Sequence, residues 1–300
     1  MKTIKLSDGT SAPWLAFGTG TALYKKAAKD SVLLALQRGF VHIDAAQMYE
    51  NEDSVGDAIV ESGKARGDFY LTTKLNSLSD GESVSTSLEG SLKKLKVDYV
   101  DLFLIHVPTM HEGKIAEVWK GMVEAKKKGL TKSIGVSNFN IKYLEQVRAV
   151  GLEMPVVNQI EFHPFVYHTL VPLLKYHQEN GIITASYGGL SPILPRSAEA
   201  LKAKYPTERK QLHDTLDKLA AARSKDLKVT QDQVLFKWLQ AKNILAVTTS
   251  SNATRLDGYL ASENLPDLTP EEISAIDSSV GIANFRAFPS FKHMDDQTTP

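Results

Sequence analysis

Four side chains that could together protonate a carbonyl oxygen lie at or just beyond the ends of three separate apolar runs of the sequence. Asp44 and Tyr49 lie in and just after the first run, Lys74 ends the second, and His106 ends the third. A phenol has an unperturbed pKa of about 10, and a nearby ammonium lowers it, so Lys74 would make Tyr49 a better proton donor. Asp44 would hold Lys74 charged and in place, and His106 could donate a hydrogen bond to the substrate oxygen. The hydride for such a reduction would have to come from a cofactor, because no side chain can deliver one.

These side chains can meet if the three runs are parallel strands, because the carboxyl ends of barrel strands converge on one face. Along the chain, apolar β-branched runs alternate with stretches of helical periodicity. The predicted strands are 15–18, 41–45, 69–74, 99–105, 132–136, 156–161, 182–187 and 244–249. The predicted helices lie near 27–38, 52–63, 82–95, 114–128, 140–149, 168–179, 230–241 and 254–263. Eight such units in about 250 residues predict an α/β fold, a closed (β/α)8 TIM barrel, which we treat as one domain over residues 1–300.

Three segments fall outside the repeating units. Residues 3–15 alternate around a Ser-Asp-Gly-Thr turn and predict an N-terminal β-hairpin that could plug one end of the barrel. Residues 188–228 predict a long loop and one extra amphipathic helix before the last strand–helix unit. From Gly281 onward the chain is aromatic but lacks periodicity, which leaves two interpretations, a C-terminal loop laid against the barrel or a loosely ordered terminus.

The rival architecture is a doubly wound open sheet. Such a sheet normally carries a glycine-rich phosphate-binding turn directly after its first strand, but here Gly18-x-Gly20 is followed by Leu23 at the third glycine position. Tyr70-x-x-x-Lys74 has the spacing of the short-chain dehydrogenase pair, which must lie on a helix, whereas this run is strand-like. The barrel is therefore the preferred prediction.

Bulk composition narrows the classes of partner. The chain has 35 basic and 35 acidic residues, which gives no reason to expect nucleic acid or an anionic membrane surface as a partner. It has no cysteine, which excludes disulfides, thiolate nucleophiles and cysteine zinc sites. The amino terminus lacks the apolar core of a signal peptide, and no apolar run is long enough to span a bilayer. We expect a cytoplasmic protein, monomeric or weakly dimeric, that acts on a small molecule without a bound metal.

At the four candidate catalytic positions the chain resembles the aldo-keto reductases, which are NAD(P)H-dependent (β/α)8 barrels. Their Asp, Tyr, Lys and His tetrad is matched by Asp44, Tyr49, Lys74 and His106. Further similar runs are Gly-Phe-Val-His-Ile-Asp-Ala-Ala at 39–46, Gly-Val-Ser-Asn-Phe at 135–139 and Val-Asn-Gln-Ile-Glu-Phe-His-Pro at 157–164. The resemblance covers about residues 3 to 280. It implies NADPH-dependent reduction of aldehydes or ketones to alcohols, with Tyr49 as the general acid.

The resemblance also implies which residues would bind the cofactor. Ser137, Asn138 and Gln159 would hold the nicotinamide carboxamide, and Tyr187 would stack on the nicotinamide ring. The other implied contacts are Gly18, Thr19, Asp44, Leu190, Ser250 and Arg255.

Several positions depart from the family pattern. Gly188-Gly189-Leu190-Ser191 replaces the common Ser-Pro-Leu-Gly after Tyr187, so the loop at the cofactor's pyrophosphate should differ. Gly20 replaces a common Trp, which should widen the substrate pocket. Thr249 stands where a Lys commonly binds the 2′-phosphate. Arg255 matches the arginine on the adenine side, and because a guanidinium can both stack on adenine and bind a phosphate, we predict NADPH (NADP+) rather than NADH.

Two further comparisons concern substrate and rival functions. The Thr-Thr-Ser-Ser run at 248–251 and the Phe-Arg-Ala-Phe run at 285–288 resemble the fungal branch that includes reductases of conjugated polyketones and of ketopantoyl lactone, which implies dicarbonyl or lactone substrates. One alternative is a cofactor-binding regulatory barrel subunit without turnover. Another is a metal-dependent barrel hydrolase, for which Glu161 and His163 would be the candidate ligands.

Overall fold

A two-stranded antiparallel hairpin precedes the barrel and covers one of its ends. In the computed structural model, β1 (Thr3–Lys5) pairs with β2 (Ser11–Pro13). Gly9 has a φ of 88°, a left-handed conformation that glycine adopts without a steric penalty, and it turns the chain between the two strands. The hydroxyl oxygens of Thr10 and Ser133 lie 2.9 Å apart, and Ser133 is near the amino end of a barrel strand. The hairpin therefore covers the amino end of the barrel, as predicted.

Eight parallel strands pair in chain order and close into a barrel, so the predicted fold is confirmed. The structure describes residues 1–224 and 228–298. The barrel strands are β3 (Leu15–Gly18), β4 (His42–Asp44), β5 (Tyr70–Leu75), β6 (Val100–Ile105), β7 (Thr131–Ser137), β8 (Val157–Glu161), β9 (Ile183–Tyr187) and β10 (Leu245–Thr248). Strand β10 closes the sheet by pairing with β3 on one side and β9 on the other. The carboxyl ends of all eight strands lie at one end of the barrel, which we call the mouth.

Helices surround the strands and bury one face each against them. They are α1 (Lys29–Arg38), α2 (Glu52–Glu61), α3 (Val84–Leu95), α4 (Ile115–Lys127), α5 (Ile141–Arg148), α6 (Pro164–Glu179), α7 (Pro195–Lys204), α8 (Pro206–Arg223), α9 (Gln231–Ala241), α10 (Ala253–Ala261) and α11 (Pro270–Ser279). In α3 the side chains of Val84, Leu88, Leu92 and Leu95 are buried, a spacing that places them on a single helical face. Within the part of the chain that the structure describes, no helix is both long and apolar enough to cross a membrane.

Two helices differ from the prediction, and proline explains both. The segment between β9 and α9 contains α7 and α8 instead of one extra helix. Pro206 separates them, since a proline lacks the amide hydrogen that would continue α7 but fits the first position of α8. Helix α6 likewise begins at Pro164, earlier than the predicted residue 168. In both cases the proline is a helix start that periodicity alone does not reveal.

Helix α11 was missed, although the sequence carries a signal for it. The Thr269 side chain accepts a hydrogen bond from the Glu272 amide, and the Glu272 carboxylate accepts one from the Thr269 amide at 2.9 Å. This reciprocal pair is a capping box, and Pro270 occupies the first helical position. The Thr-Pro-Glu-Glu sequence therefore could have predicted the helix.

The segment after Gly281 lies across the mouth and is tied to it by hydrogen bonds. The Ala287 amide donates to Glu161 Oε1 at 2.6 Å, and His293 Nε2 lies 2.8 Å from the carbonyl oxygen of Asn138. Asn140 Nδ2 donates to the carbonyl oxygen of His293 at 3.1 Å. Of the two interpretations of this segment, the structure agrees with a loop laid against the barrel; we call residues 281–298 the C-terminal loop.

Candidate active site

Three neighbouring strands bring the four candidate catalytic side chains to the mouth. Asp44 is the last residue of β4, Lys74 lies near the end of β5, and His106 directly follows β6. In the sheet, Asp44 is level with Thr72, two residues before Lys74, so both side chains project near the carboxyl end. The predicted convergence of these strand ends is what the structure shows.

A short 3-10 turn after β4 positions Tyr49. The turn covers Gln47–Tyr49 and ends at Glu50, whose φ of 52° reverses the chain into α2. Asn51 anchors this turn to the loop after β3, because its buried Nδ2 donates to the carbonyl oxygens of Thr19 and Leu23, both at 2.9 Å. This anchoring role of Asn51 was not predicted. An Asn directly before a helix is typical of a helix cap, but the Asn51 side chain makes no capping hydrogen bond.

Asp44, Lys74 and Tyr49 form one hydrogen-bonded cluster beneath a cavity, and the His106 ring packs beside it. Lys74 Nζ lies 2.5 Å from Asp44 Oδ1, 3.0 Å from the carbonyl oxygen of Ala45 and 3.3 Å from the Tyr49 hydroxyl. The Lys74 side chain is 0% exposed, so its charge is balanced within the protein by Asp44. The His106 ring is perpendicular to the Tyr49 ring, at 5.4 Å between centroids. The arrangement gives a phenol contacting a buried ammonium, with an imidazole beside it.

Burial sets the protonation states of the cluster. Burial alone would lower the pKa of Lys74, but the Asp44 carboxylate outweighs it and the pKa is raised. Burial raises the pKa of the Tyr49 phenol, and the opposing effect of Lys74 is smaller. The expectation that Lys74 makes the pKa of Tyr49 lower than usual is therefore wrong in its net direction, because burial dominates. Burial and the Lys74 charge together hold the pKa of His106 well below its usual value, so at neutral pH the imidazole is uncharged.

Four of the implied nicotinamide contacts form a second cluster that joins the first. Gln159 Nε2 donates to Asp44 Oδ2 at 2.8 Å, and the Ser137 hydroxyl donates to the carbonyl oxygen of Gln159 at 2.7 Å. The Tyr187 hydroxyl donates to Asn138 Oδ1 at 2.7 Å. Asn138 has a φ of 62°, a left-handed conformation that asparagine tolerates better than most residues. These polar side chains therefore lie where a carboxamide could exchange hydrogen bonds with them.

A cavity of about 710 Å³ connects the catalytic cluster to the loop after β10. Its wall includes nearly all of the implied cofactor contacts: Gly18, Asp44, Ser137, Asn138, Gln159, Tyr187, Leu190, Ser250 and Arg255. Thr19 is the exception. It is fully buried, and both its amide and its hydroxyl donate to the carbonyl oxygen of Asp44, at 2.9 and 3.2 Å. In the structure Thr19 fixes the backbone at Asp44, and its role as a cofactor contact stays a prediction.

The cavity suits an elongated dinucleotide. At one end Asn138, Gln159 and the Tyr187 ring offer amide partners and an aromatic surface, as a nicotinamide requires. At the other end the wall consists of the hydroxyls of 248–251 and the guanidinium of Arg255, which suit a phosphorylated ribose. The residues present therefore fit a nicotinamide dinucleotide phosphate.

Gly20 lines the cavity and its backbone contacts the Tyr49 phenol. A Cβ atom built on Gly20 would lie 2.8 Å from Tyr49 Cζ and 3.1 Å from both Cε atoms of that ring. Separations under about 3.0 Å do not occur for real Cβ atoms, so the backbone of Gly20 rests directly on the hydroxyl end of the ring. A side chain at this position would therefore press on the Tyr49 ring, and the wider pocket expected from Gly20 stays a prediction.

Glu161 and His163, the candidates for a metal site, are engaged with the C-terminal loop. His163 Nε2 lies 3.1 Å from Glu161 Oε1, which also accepts the Ala287 amide. Arg286 Nη1 lies 3.5 Å from Glu161 Oε2, and both side chains are buried. In residues 1–224 and 228–298, no group of three or more His, Cys, Asp or Glu side chains is placed to hold a metal ion. The pair therefore serves to attach the loop.

Comparisons with known proteins agree with this geometry. The family model described as the aldo/keto reductase family matches residues 13–280. Over 299 residues the chain is 36% identical to the NAD/NADP-dependent indole-3-acetaldehyde reductase of Schizosaccharomyces pombe, with 96% of this chain and 98% of the relative covered. It is 32% identical to the NADPH-dependent alpha-keto amide reductase of Saccharomyces cerevisiae, with 90% and 88% covered.

Solved structures give the same result. A Bombyx mori aldo-keto reductase in complex with NADP superposes with a TM-score of 0.74 at 31% identity, covering 93% of this chain and 92% of the other. An aldo-keto reductase enzyme from a deep-sea metagenome library superposes with a TM-score of 0.78 at 28% identity, covering 95% and 97%. Both likenesses extend over almost the whole barrel.

Proposed function

The chain belongs to the aldo-keto reductase family and is an NADPH-dependent oxidoreductase acting on carbonyl groups, and on that premise we propose that Tyr49 is the general acid of the reaction. The observation that carries the proposal is the 3.3 Å contact between the Tyr49 hydroxyl and Lys74 Nζ at the base of the cavity. NADPH supplies the hydride when it is bound. Tyr49 donates its proton to the carbonyl oxygen as negative charge develops there.

Lys74 and Asp44 make that proton transfer possible. The phenolate that forms lies beside an ammonium, and the attraction is strong because Lys74 is buried. Asp44 holds the ammonium charged through the 2.5 Å contact, so no charge has to enter or leave the site before the reaction. The raised pKa of Tyr49 keeps the phenol protonated at neutral pH until the carbonyl oxygen demands its proton.

His106 orients the carbonyl. Its Nδ1 is buried without a hydrogen-bond partner among the described residues, and a buried unpaired N–H is less tolerable than an unpaired acceptor. We therefore place the proton of the neutral ring on Nε2, where it can donate to the substrate oxygen.

For the substrate, we propose aldehydes and ketones that include dicarbonyls and compounds like ketopantoyl lactone. The wall around Tyr49 is largely apolar, with Leu23, Met48, Phe288 and Phe291 on it, which favours an organic carbonyl with an apolar substituent. The alpha-keto amide named for the yeast relative has two adjacent carbonyl groups, and that chemistry supports dicarbonyls for this chain. The expected cytoplasmic location and the monomeric or weakly dimeric state stay predictions.

The test follows NADPH absorbance with a panel of aromatic aldehydes, α-dicarbonyls and ketopantoyl lactone. We expect turnover with several of them and a loss of about 10²-fold to 10⁴-fold in kcat for Tyr49→Phe, which removes only the phenolic hydroxyl group. NADPH fluorescence titration should show the same cofactor affinity in Tyr49→Phe. Undiminished turnover in this variant would overturn the assignment, and NADPH binding without turnover on any carbonyl would favour the regulatory subunit instead.

A further inference from the structure

The cavity wall carries two arginines, Arg196 and Arg255. Arg255 lies at the end of the cavity expected to take the phosphorylated ribose. Arg196, near the start of α7, lines the cavity as well. Arg66 and Arg223 are paired with carboxylates elsewhere, but no carboxylate among the described residues forms an ion pair with either cavity arginine. Both guanidinium groups are therefore available to an anion in the cavity.

Contacts with its neighbours orient Arg196. Its Nη2 donates to the Ser191 hydroxyl at 3.2 Å, and its guanidinium carbon lies 5.1 Å from the centroid of the Phe288 ring. Phe288 in turn packs edge-on against Tyr187, at 5.1 Å between ring centroids. Arg196 is thus held at the rim by the loop after β9 and by the C-terminal loop, one aromatic ring away from Tyr187.

The position along the cavity identifies the anion. NADPH carries two anionic groups, the diphosphate in its middle and the 2′-phosphate at its adenine end. Tyr187 is the predicted nicotinamide-stacking residue, and Arg255 lies at the far end beside Ser250. The Phe288 ring separates Arg196 from Tyr187, so the first anionic group that Arg196 can meet beyond the nicotinamide is the diphosphate. A guanidinium binds two phosphate oxygens at once, which a backbone amide cannot do.

We propose that Arg196 binds the diphosphate of the cofactor. This role rests on the proposed function and accounts for the unusual loop at Gly188–Ser191, in which two glycines offer no side chain to a phosphate. Ser191 contributes by fixing the guanidinium. Phe288 contributes in the same way, which couples the C-terminal loop to the occupied cofactor site.

The test measures binding without any carbonyl present. The dissociation constants of NADPH and NADH are determined by fluorescence titration, and adenosine 2′-phosphate is used as a competitor. Arg196→Met should weaken NADPH and NADH by the same factor, about tenfold or more, which is typical for loss of a hydrogen bond to a charged group. Competition by adenosine 2′-phosphate, which lacks the diphosphate, should not change. Arg255→Met is the matched variant and should weaken NADPH more than NADH.

Two readouts separate this role from support of the C-terminal loop. Cofactor affinity should depend less steeply on ionic strength in Arg196→Met, because one charge contact is gone, whereas a purely structural loss would leave the steepness unchanged. Arg196→Lys should retain part of the affinity. Unchanged NADH affinity in Arg196→Met, or a loss confined to NADPH, would overturn the proposal while leaving the reductase function intact. The reductase function itself fails only if the unaltered protein does not bind NADPH or shows no turnover.

Discussion

The ammonium nitrogen of Lys74 lies 3.3 Å from the hydroxyl oxygen of Tyr49, although the two residues belong to different strand–helix units. Lys74 is at the same time 2.5 Å from Asp44 Oδ1. One cation therefore balances a permanent carboxylate and, in the proposed mechanism, also stabilises a transient phenolate. These two duties can be separated by substitution.

Lys74→Met should abolish most activity and also destabilise the fold. Turnover should fall by about 10²-fold or more, since the phenolate loses its counter-charge. The Asp44 carboxylate would be buried without its cation, which typically costs about 3–5 kcal/mol. Adding Asp44→Asn should recover much of that stability but none of the turnover, as measured by thermal unfolding and steady-state rates. Recovered turnover in the double variant would show that Lys74 serves only to balance Asp44.

Gly20→Ala should impair the chemical step more than binding. The backbone angles of Gly20, φ −82° and ψ −157°, leave the added methyl group as the main perturbation. That methyl would stand 2.8 Å from Tyr49 Cζ, so the ring must move and its hydroxyl must leave Lys74. A displacement of this kind can cost up to about 10²-fold in kcat, with NADPH affinity retained.

Gly90→Ala is the control for that variant, because a Cβ at Gly90 in α3 meets no atom within 4 Å. It should leave turnover unchanged. A higher KM for bulky carbonyls in Gly20→Ala, with kcat preserved, would instead assign Gly20 to pocket width, as first expected from the sequence.

Acid should destabilise the protein through its buried neutral histidines. His177 binds Asn158 Nδ2 through Nε2 at 3.0 Å and Thr184 Oγ1 through Nδ1 at 2.8 Å, and burial lowers its pKa to about 3. Between pH 6.5, its ordinary pKa, and about 3, the unfolded chain binds a proton at this site and the folded chain does not. The contribution of His177 is therefore complete above pH 6.5 and is lost as the pH falls, by about 1.4 kcal/mol per pH unit.

Urea unfolding at a series of pH values tests this linkage. Burial also lowers the pKa of His42 and His106, so the unaltered protein should show a steep acid dependence. His177→Asn cannot titrate, and its free energy of unfolding should fall less steeply with acid over the same range. An identical slope in the two proteins would mean that His177 does not titrate as described.

Arg286→Met should release the C-terminal loop. The Arg286 side chain is 4% exposed, and it contacts both Glu161 and Asp295. Its loss leaves the buried Glu161 carboxylate without its arginine partner, at a typical cost of up to about 3–5 kcal/mol. Hydrogen exchange should rise over 285–298, and KM for the carbonyl should increase.

Arg38→Met is the control, because it removes an exposed ion pair with Asp257 and should change stability by at most about 1 kcal/mol. Equal effects of the two substitutions would contradict an anchoring role for Arg286.

The features predictable from the sequence are those that depend on strand order. Asp44, Lys74 and His106 each end or follow an apolar run, and parallel strands in consecutive order must bring such ends together. No distance or loop shape was needed for that inference. Ser137, Asn138 and Gln159 were implied only by the resemblance to the aldo-keto reductases, because strand order alone marks them as no more than polar residues near strand ends.

The features that were not predicted depend on the conformations of loops and on how deeply the folded chain buries each side chain. Thr19 turns its hydroxyl toward the Asp44 carbonyl because of a loop conformation that periodicity does not encode. The net pKa shift of Tyr49 balances burial against one charge, and burial is a property of the whole fold. No feature of the sequence distinguishes Arg196 from other arginines, and only the folded structure places it on the cavity wall.

The hairpin of β1 and β2 covers the end of the barrel opposite the mouth. Its exposed lysines, Lys2 and Lys5, therefore provide attachment chemistry far from the reacting groups. Protein attached to a solid support through these lysines would keep the mouth of the barrel, and therefore the cavity, facing the solution. Coupling through the C-terminal loop, which crosses the mouth, would obstruct access to the cavity.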